Sequence, residues 1–157
     1  MLIEFREYLT IENIYLWTNF GILPFWLMLI IIPNSKITQI FVNSVILPLI
    51  LGAAAVYIIY QTILLGEPLV EILTIYISLE NLYTIFSTES FLLIFWIHFL
   101  ALNLFLGSWV SRDAIKYNIS KRLVFIPLIL IFFAGPVGLV IYWFVRVFYA
   151  KKLGFHD

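Results

Sequence analysis

Four long runs of apolar residues, separated by short polar punctuation, organise this chain of 157 residues. A helix that crosses a bilayer needs about 20 mostly apolar residues, and the runs 14–32, 41–65, 90–107 and 123–147 are of that order. The first closes on Pro33-Asn34-Ser35 and the second on Gly66-Glu67-Pro68, both breaker-rich. The third runs out at Gly107-Ser108, ahead of the polar stretch 111–122. The fourth gives way to Arg146 and then Lys151-Lys152. Between the second and third runs, 67–89 carries Glu67, Glu71, Glu80 and Glu89 among Leu, Ile and Tyr. An acid near the bilayer centre costs roughly 2.5–3.5 kcal/mol, so a full crossing there is disfavoured. Helical spacing sets Leu69, Leu73, Tyr76 and Ile77 on one face, which predicts an amphipathic helix lying at the interface or lidding the bundle; a fifth span is the alternative. The fold expected is an all-α integral membrane protein: a four-transmembrane-helix bundle with an interfacial amphipathic helix between spans 2 and 3, forming one membrane domain over 1–157.

Composition agrees with that pattern. Hydrophobic residues make up 64% and charged residues 11%, against roughly 45–50% and about 25% in soluble domains. A chain this short cannot hide so much apolar surface behind a water-facing shell, whereas lipid covers it directly. Nine Lys plus Arg balance nine Asp plus Glu, so the basic footprint of a nucleic-acid binder is missing and no nucleic-acid partner is expected. The chain has no Cys and two His, which removes disulfides, thiolate chemistry and multi-histidine metal centres; no metal or cofactor is expected. The start, Met1-Leu2-Ile3-Glu4-Phe5-Arg6-Glu7, lacks a basic n-region and cleavage site and reads as mature sequence. With four spans, Lys36, Arg112, Lys116, Lys121 and Arg122 share one side, and Arg6, Arg146, Lys151 and Lys152 the other. Cytoplasmic loops collect Lys and Arg, so this near-tie leans towards both termini facing away from the cytoplasm.

Polar residues at membrane depth need partners or a purpose. His98 lies mid-span in the third run and is the side chain suited to proton transfer near neutral pH; a structural imidazole is the plainer reading. Asn103 follows about 140° further round the helix, so the two do not form a dyad, and an amide bridging helices is expected of it. Trp96 shares a stripe with Asn103. Tyr57 and Gln61 share a face. Ala134 and Gly138 form a small-xxx-small pair that admits another backbone, and Pro136 predicts a kink. Arg112-Asp113 reads as a solvated pair and Arg146 as a snorkelling cation, with anchoring of a ligand's polar end as the functional alternative. Aromatic residues reach 18%; Trp17, Trp109 and Tyr149 suit an interfacial belt, while Trp26 and Trp96 sit deeper and suit a long apolar ligand.

The order of motifs resembles a known family. Asn19, Pro24-Phe25-Trp26-Leu27-Met28-Leu29, Pro33 and Lys36-Ile37-Thr38 open the likeness. It continues through Ser78-Leu79-Glu80 and is densest in Trp96-Ile97-His98-Phe99-Leu100-Ala101, Leu104-Phe105-Leu106-Gly107, Trp109 and Arg112-Asp113. Pro127, Gly135-Pro136-Val137-Gly138-Leu139, Tyr142 and Arg146 complete it. These are the motifs of the neoxanthin-synthase-like, or abscisic-acid-deficient-four-like, membrane proteins. The resemblance implies a four-helix membrane fold and, through the plant members, a link to forming neoxanthin from violaxanthin, which rearranges an epoxide to an allenic alcohol without net redox change. For an isomerase of this kind, His98 would be the acid/base and Asn103 an oxygen-positioning group. Trp26, Asn19, Trp96, Glu80, Arg112, Asp113 and Arg146 are implied as substrate contacts. Where the family usually has Asp, this chain has Asn103, and an amide cannot act as acid or base; if that Asp is catalytic in the family, this chain either uses another carboxylate, such as Glu80 or Asp113, or performs different chemistry. Two functions are carried forward: redox-neutral isomerisation of a carotenoid end group, or non-catalytic binding of a pigment or lipid, as a homo-oligomer or in a membrane complex. A bacterial inner membrane is the expected location, or a plastid membrane in a eukaryote.

Overall fold

In the computed structural model, residues 8–44, 46–66, 69–151 and Gly154 are described, 69–72 by backbone alone. Arg6, Glu67, Pro68 and Lys152, and the side chains of Leu69 and Glu71, lie outside the described residues. The elements are α1 (Ile11–Ile31), α2 (Lys36–Phe41), α3 (Ile46–Leu64), a 3₁₀ segment (Leu69–Tyr76), α4 (Leu79–Phe86), α5 (Glu89–Lys116), α6 (Lys121–Ala134) and α7 (Pro136–Ala150). No strand occurs among the described residues. Three stretches are long and apolar enough to cross a membrane: Ile11–Ile31, Lys36–Leu64 and Glu89–Lys116. Many of the largest apolar side chains point outward, Phe20, Leu27, Phe105, Phe133 and Phe148 among them, the reverse of a water-facing surface. Contacts group the residues into two compact units, Met1–Gly21 with Leu49–Phe99 and Ile22–Pro48 with Leu100–Asp157.

In the first unit, Thr10 Oγ1 accepts the Asn13 N–H at 3.2 Å and starts α1. Ser78 caps α4 in the same way, accepting the Asn81 N–H at 3.1 Å. That cap explains the Ser78-Leu79-Glu80 motif: Glu80 stands in the first helical turn, where the helix dipole favours an acid. The stretch expected as one amphipathic helix is instead two short pieces hinged at Ile77 and Ser78. Neither approaches crossing length. Leu73, Tyr76, Ile77, Leu79 and Tyr83 are all strongly exposed.

In the second unit, Ser35 caps α2 by accepting the Thr38 N–H at 3.1 Å, and Thr38 Oγ1 donates back to the Ile32 carbonyl at 2.8 Å. The second expected span is broken at residues 42–44. The third extends nine residues past its expected end, because the polar stretch after Gly107 continues α5 to Lys116. Asn118, at φ 53°, then closes it: Ile119 N–H bonds the Ala114 carbonyl at 2.9 Å and Asn118 N–H bonds Ile115 at 3.1 Å, a Schellman stop with Asn in the left-handed position.

The largest departure is at the fourth expected span. The run 123–147 is divided at Gly135, whose φ of 48° and ψ of −101° suit glycine alone, and Pro136 restarts the chain at the first position of α7. The two pieces have 14 and 15 residues, each about 21–22 Å long against a hydrocarbon core of about 30 Å. They do not continue one another. A Cβ placed on Gly138 would meet the backbone of Ile131 and, at 2.5 Å, the carbonyl oxygen of Pro127. In one unbroken helix Pro127 would be about 16 Å away. The chain therefore reverses, and α6 and α7 form an antiparallel hairpin. Gly138 does admit a close backbone, as its spacing from Ala134 suggests, but that backbone is the preceding helix.

Candidate functional site

Two polar constellations emerge, one in each unit. In the first, Asn19 Nδ2 donates to the Tyr15 carbonyl at 2.7 Å, which aims its Oδ1 outward. Trp96 Nε1–H donates to that oxygen at 3.0 Å, and the Trp96 ring stacks on Phe99 with centroids 5.3 Å apart. Two family-motif residues, 77 positions apart, are thus joined by a side-chain bond that spares both a bare polar atom in lipid. Trp96→Phe should keep the stacking and lose the bond, lowering stability by about 1 kcal/mol, as chemical unfolding in detergent would measure. Tyr57 and Gln61 meet as their spacing implies, the amide donating to the phenol oxygen at 2.7 Å.

The second constellation is built by the hairpin. Because α7 returns to the end of the unit where α6 begins, its last turns lie beside the final turns of α5. Asp113 Oδ2 accepts from Tyr142 Oη at 2.7 Å and from Arg146 Nε at 2.8 Å. Arg146 spends its other nitrogens separately: Nη1 donates to the Gly154 carbonyl at 2.6 Å and Nη2 to Tyr117 Oη at 3.3 Å. Its guanidinium also lies 4.8 Å from the Tyr117 ring centroid, and Trp109 packs edge-on against Tyr142 at 6.0 Å. Arg146 is 1% exposed and Tyr142 fully buried, while the Asp113 side chain keeps 10% of its surface.

This corrects two expectations. Arg146 does not snorkel on the face opposite Asp113; the reversal at Gly135 brings it to that carboxylate. Asp113 is not a solvated partner of its neighbour Arg112 either, because successive helical residues point about 100° apart; Arg112 is exposed. Tyr142 and Tyr117 completed the group without having been expected there. The signal that would have found them is Gly135-Pro136 read as a reversal.

The remaining expected residues fall as follows. Asn103 is buried, with Nδ2 3.4 Å from the Phe132 carbonyl, and a Cβ at Gly135 would lie 2.6 Å from Asn103 Oδ1. It supports the hairpin turn, in keeping with an amide that joins helices. Trp26 is buried edge-on against Phe132 at 5.3 Å. It rests on Gly107, where a Cβ would meet its ring at 2.7 Å. Gly107→Ala should therefore destabilise by about 1–3 kcal/mol, and Trp26→Leu in the same chain should recover much of that loss, which a double-mutant cycle would show. Glu80 is exposed. His98 is exposed too, next to the buried stripe Leu93, Ile97, Leu100 and Leu104 and off it by one position. The inward imidazole that an acid/base role asks for is not what the helix presents. His98 and Asn103 fall in different units. Among the described residues no cluster of three His, Asp or Glu suited to a metal is found.

Fold and site together define an all-helical protein of membrane character, with a buried aspartate–arginine–tyrosine group held by a helical hairpin. A family model described as ABA DEFICIENT 4-like matches residues 13–142, and the chain belongs to that family. It is 32% identical over 123 residues, 76% of its length, to the chloroplastic protein ABA DEFICIENT 4 of Arabidopsis thaliana. The chain spans 54% of that relative's length. No solved structure matches.

Proposed function

We propose that this chain serves a carotenoid or related polyene within a membrane, catalysing redox-neutral isomerisation of an end group, with Asp113 and Tyr142 as the proton-handling pair. The observation that carries the reading is that pair itself, on a chain of this family. Among the described residues Asp113 is the one carboxylate that is not exposed, and its bond to the Tyr142 hydroxyl at 2.7 Å couples a phenol to a base. Opening an epoxide towards an allene needs an acid for the oxygen and a base for a vinylic proton. A phenol–carboxylate pair offers both where Asn103 offers neither. The uncovered tenth of Asp113 is the side from which a ligand would approach, and Arg146 holds the carboxylate in place. Exposed Leu73, Tyr76 and Tyr83 support an interfacial setting for residues 69–86, and the short hairpin supports three crossings with α6–α7 dipping into one leaflet. The relative's chloroplastic location favours a plastid membrane and gives a bacterial inner membrane no support.

Expression in cells that accumulate epoxidised carotenoids, followed by pigment chromatography, tests the proposal. A new isomeric pigment is the expected outcome, with Tyr142→Phe lowering its yield about a hundredfold or more and His98→Ala leaving it unchanged. An unaltered pigment profile across several precursors overturns catalysis. The second reading, a pigment- or lipid-binding subunit in a homo-oligomer or membrane complex, is favoured by the near-complete burial and pairing of Arg146 and Tyr142. It predicts pigment co-purifying with the chain and no turnover.

A further inference from the structure

The zero net charge of the chain hides a division. Eight of the nine Lys and Arg fall in the second unit, with only two of the nine acids. Of those two, Asp113 is taken by Arg146 at 2.8 Å, and Asp157 lies outside the described residues. Among the described residues the unit therefore holds no second carboxylate to offset Lys36, Arg112, Lys116, Lys121 and Arg122, all of them exposed. A surplus of this kind draws anions to the surface that carries it.

The fold gives the surplus a receptacle. Where α1 ends, α5 makes its last turns and α6 begins, the unit holds a half-open cavity of about 280 Å³. Its lining is of two kinds: Leu29, Val124 and Leu128 supply buried hydrocarbon, and Asn34, Asn118, Ser120 and Lys121 supply exposed polar groups. No acid lines it. Lys121 Nζ donates to the Ile31 carbonyl at 3.2 Å, which holds the ammonium at the end of α1 and leaves two of its three donors for another acceptor. The Ser120 hydroxyl does not cap its own helix. Lys36, Lys116 and Arg122 each stand within two positions of a lining residue. Because α1 is of crossing length, its end is where such a helix leaves hydrocarbon for the headgroup layer. At that depth a phospholipid changes from acyl chain to phosphate.

We propose that this cavity binds one anionic phospholipid, its phosphate at Lys121 among Asn34, Asn118 and Ser120, and the start of an acyl chain against Leu29, Val124 and Leu128. The mixed lining carries the assignment. A polar rim with a cation has no use for a pure hydrocarbon, and apolar walls have none for a free phosphate. A zwitterionic headgroup brings its own cation towards Lys121 and its basic neighbours, so a net negative headgroup is preferred. The volume lies near the lower bound of about 300 Å³ for small-molecule pockets. It holds the glycerophosphate and the adjoining carbons, and the rest of the chains leave through the open side past Phe125, which lines the cavity and is 48% exposed. Asp113, Tyr142 and Arg146 take no part in the lining, so the site does not depend on the polyene reading and its test needs no turnover.

The experiment equilibrates the full chain, in mild detergent, with equal amounts of dioleoyl phosphatidylglycerol and dioleoyl phosphatidylcholine. Mass spectrometry then reads the ratio of the two lipids retained after purification, and identical chains leave the headgroup as the difference. Wild type should retain the anionic lipid about tenfold over the zwitterionic one, since a single cation at the surface favours it about fivefold and Lys121 acts with its neighbours. Lys121→Gln should cut the ratio about fivefold, and Lys121→Arg should keep it. Lys151→Gln removes the same charge from the same unit at a position that does not line the cavity, and should change the ratio less than about twofold. Asn34→Glu, which sets an acid on the rim and leaves the Lys121 bond to Ile31 alone, should lower the ratio as far as Lys121→Gln does, and decides the matter where Lys121→Gln fails to fold. Equal retention of the two lipids by wild type overturns the proposal, as does a preference that survives both rim variants. Equal losses in Lys121→Gln and Lys151→Gln mean a diffuse basic surface and overturn it too. Release of the retained lipid by inorganic phosphate assigns the rim to free anions and overturns the lipid equally.

Discussion

Arg146→Ala should cost about 3–5 kcal/mol of stability, because it strands a buried carboxylate together with two phenol hydroxyls. The guanidinium makes three bonds from three nitrogens to three different oxygens, on Asp113, Gly154 and Tyr117. Arg146→Lys keeps the charge but reaches from a single atom, so it should recover less than half of the loss. Asp113→Leu combined with Arg146→Met should be far milder than either single change, since replacing both partners leaves no orphaned charge. Unfolding in mixed micelles measures these variants and the wild-type chain on one scale. A cost below about 1 kcal/mol for Arg146→Ala would show a solvated surface pair instead.

Gly138→Ala carries the second large effect, and its sign is what makes it informative. In an ordinary helix interior, alanine is favoured over glycine by roughly 0.8–1 kcal/mol, so a substitution judged on helix propensity alone should stabilise α7. Here the added methyl meets the backbone of Ile131, the Pro127 carbonyl oxygen at 2.5 Å and Ile131 Cγ1 at 2.6 Å. Backbone atoms cannot rotate aside as a side chain does, so the hairpin must splay. Overpacking of this kind costs about 1–3 kcal/mol, and Gly138→Val should cost more again. Ala134→Leu, four residues earlier on an exposed position, should be nearly neutral. Thermal unfolding of the three variants in one detergent checks the contrast, and stabilisation by Gly138→Ala would mean that α6 and α7 are not in contact.

Much of the architecture is legible along the chain. Length and apolarity alone mark the segments able to cross a membrane, since lipid selects for both, and the burial of Asn103 follows from the cost of a bare amide in hydrocarbon. The hairpin is not legible in the same way, because 123–147 is an unbroken apolar run and hydropathy is blind to direction. Only Gly135-Pro136 and Gly138 mark the reversal, and glycine with proline in a span reads equally well as a kink. The pairing of Asp113 with Arg146 was hidden for the same reason: a straight fourth span sends them to opposite faces. The exposure of His98 is not legible either, because α5 is apolar on nearly every side and its period gives no sign of which face is buried. The contact stripe Ile97, Leu100 and Leu104, visible once helices pack, puts the imidazole outside it.

The helical hairpin also bears on how the chain enters its membrane during synthesis. A straight fourth crossing would oblige the insertion machinery to pass Arg146 and Lys151 through hydrocarbon, each carrying a full charge. On the three-crossing arrangement proposed above, a segment that turns at Gly135 would deliver both cations back to the end that carries Arg112, Lys116, Lys121 and Arg122, with neither of them translocated. Single cysteines introduced at Asn118 and at Gly154, in a chain that has none of its own, should therefore react with the same membrane-impermeant maleimide from the same side.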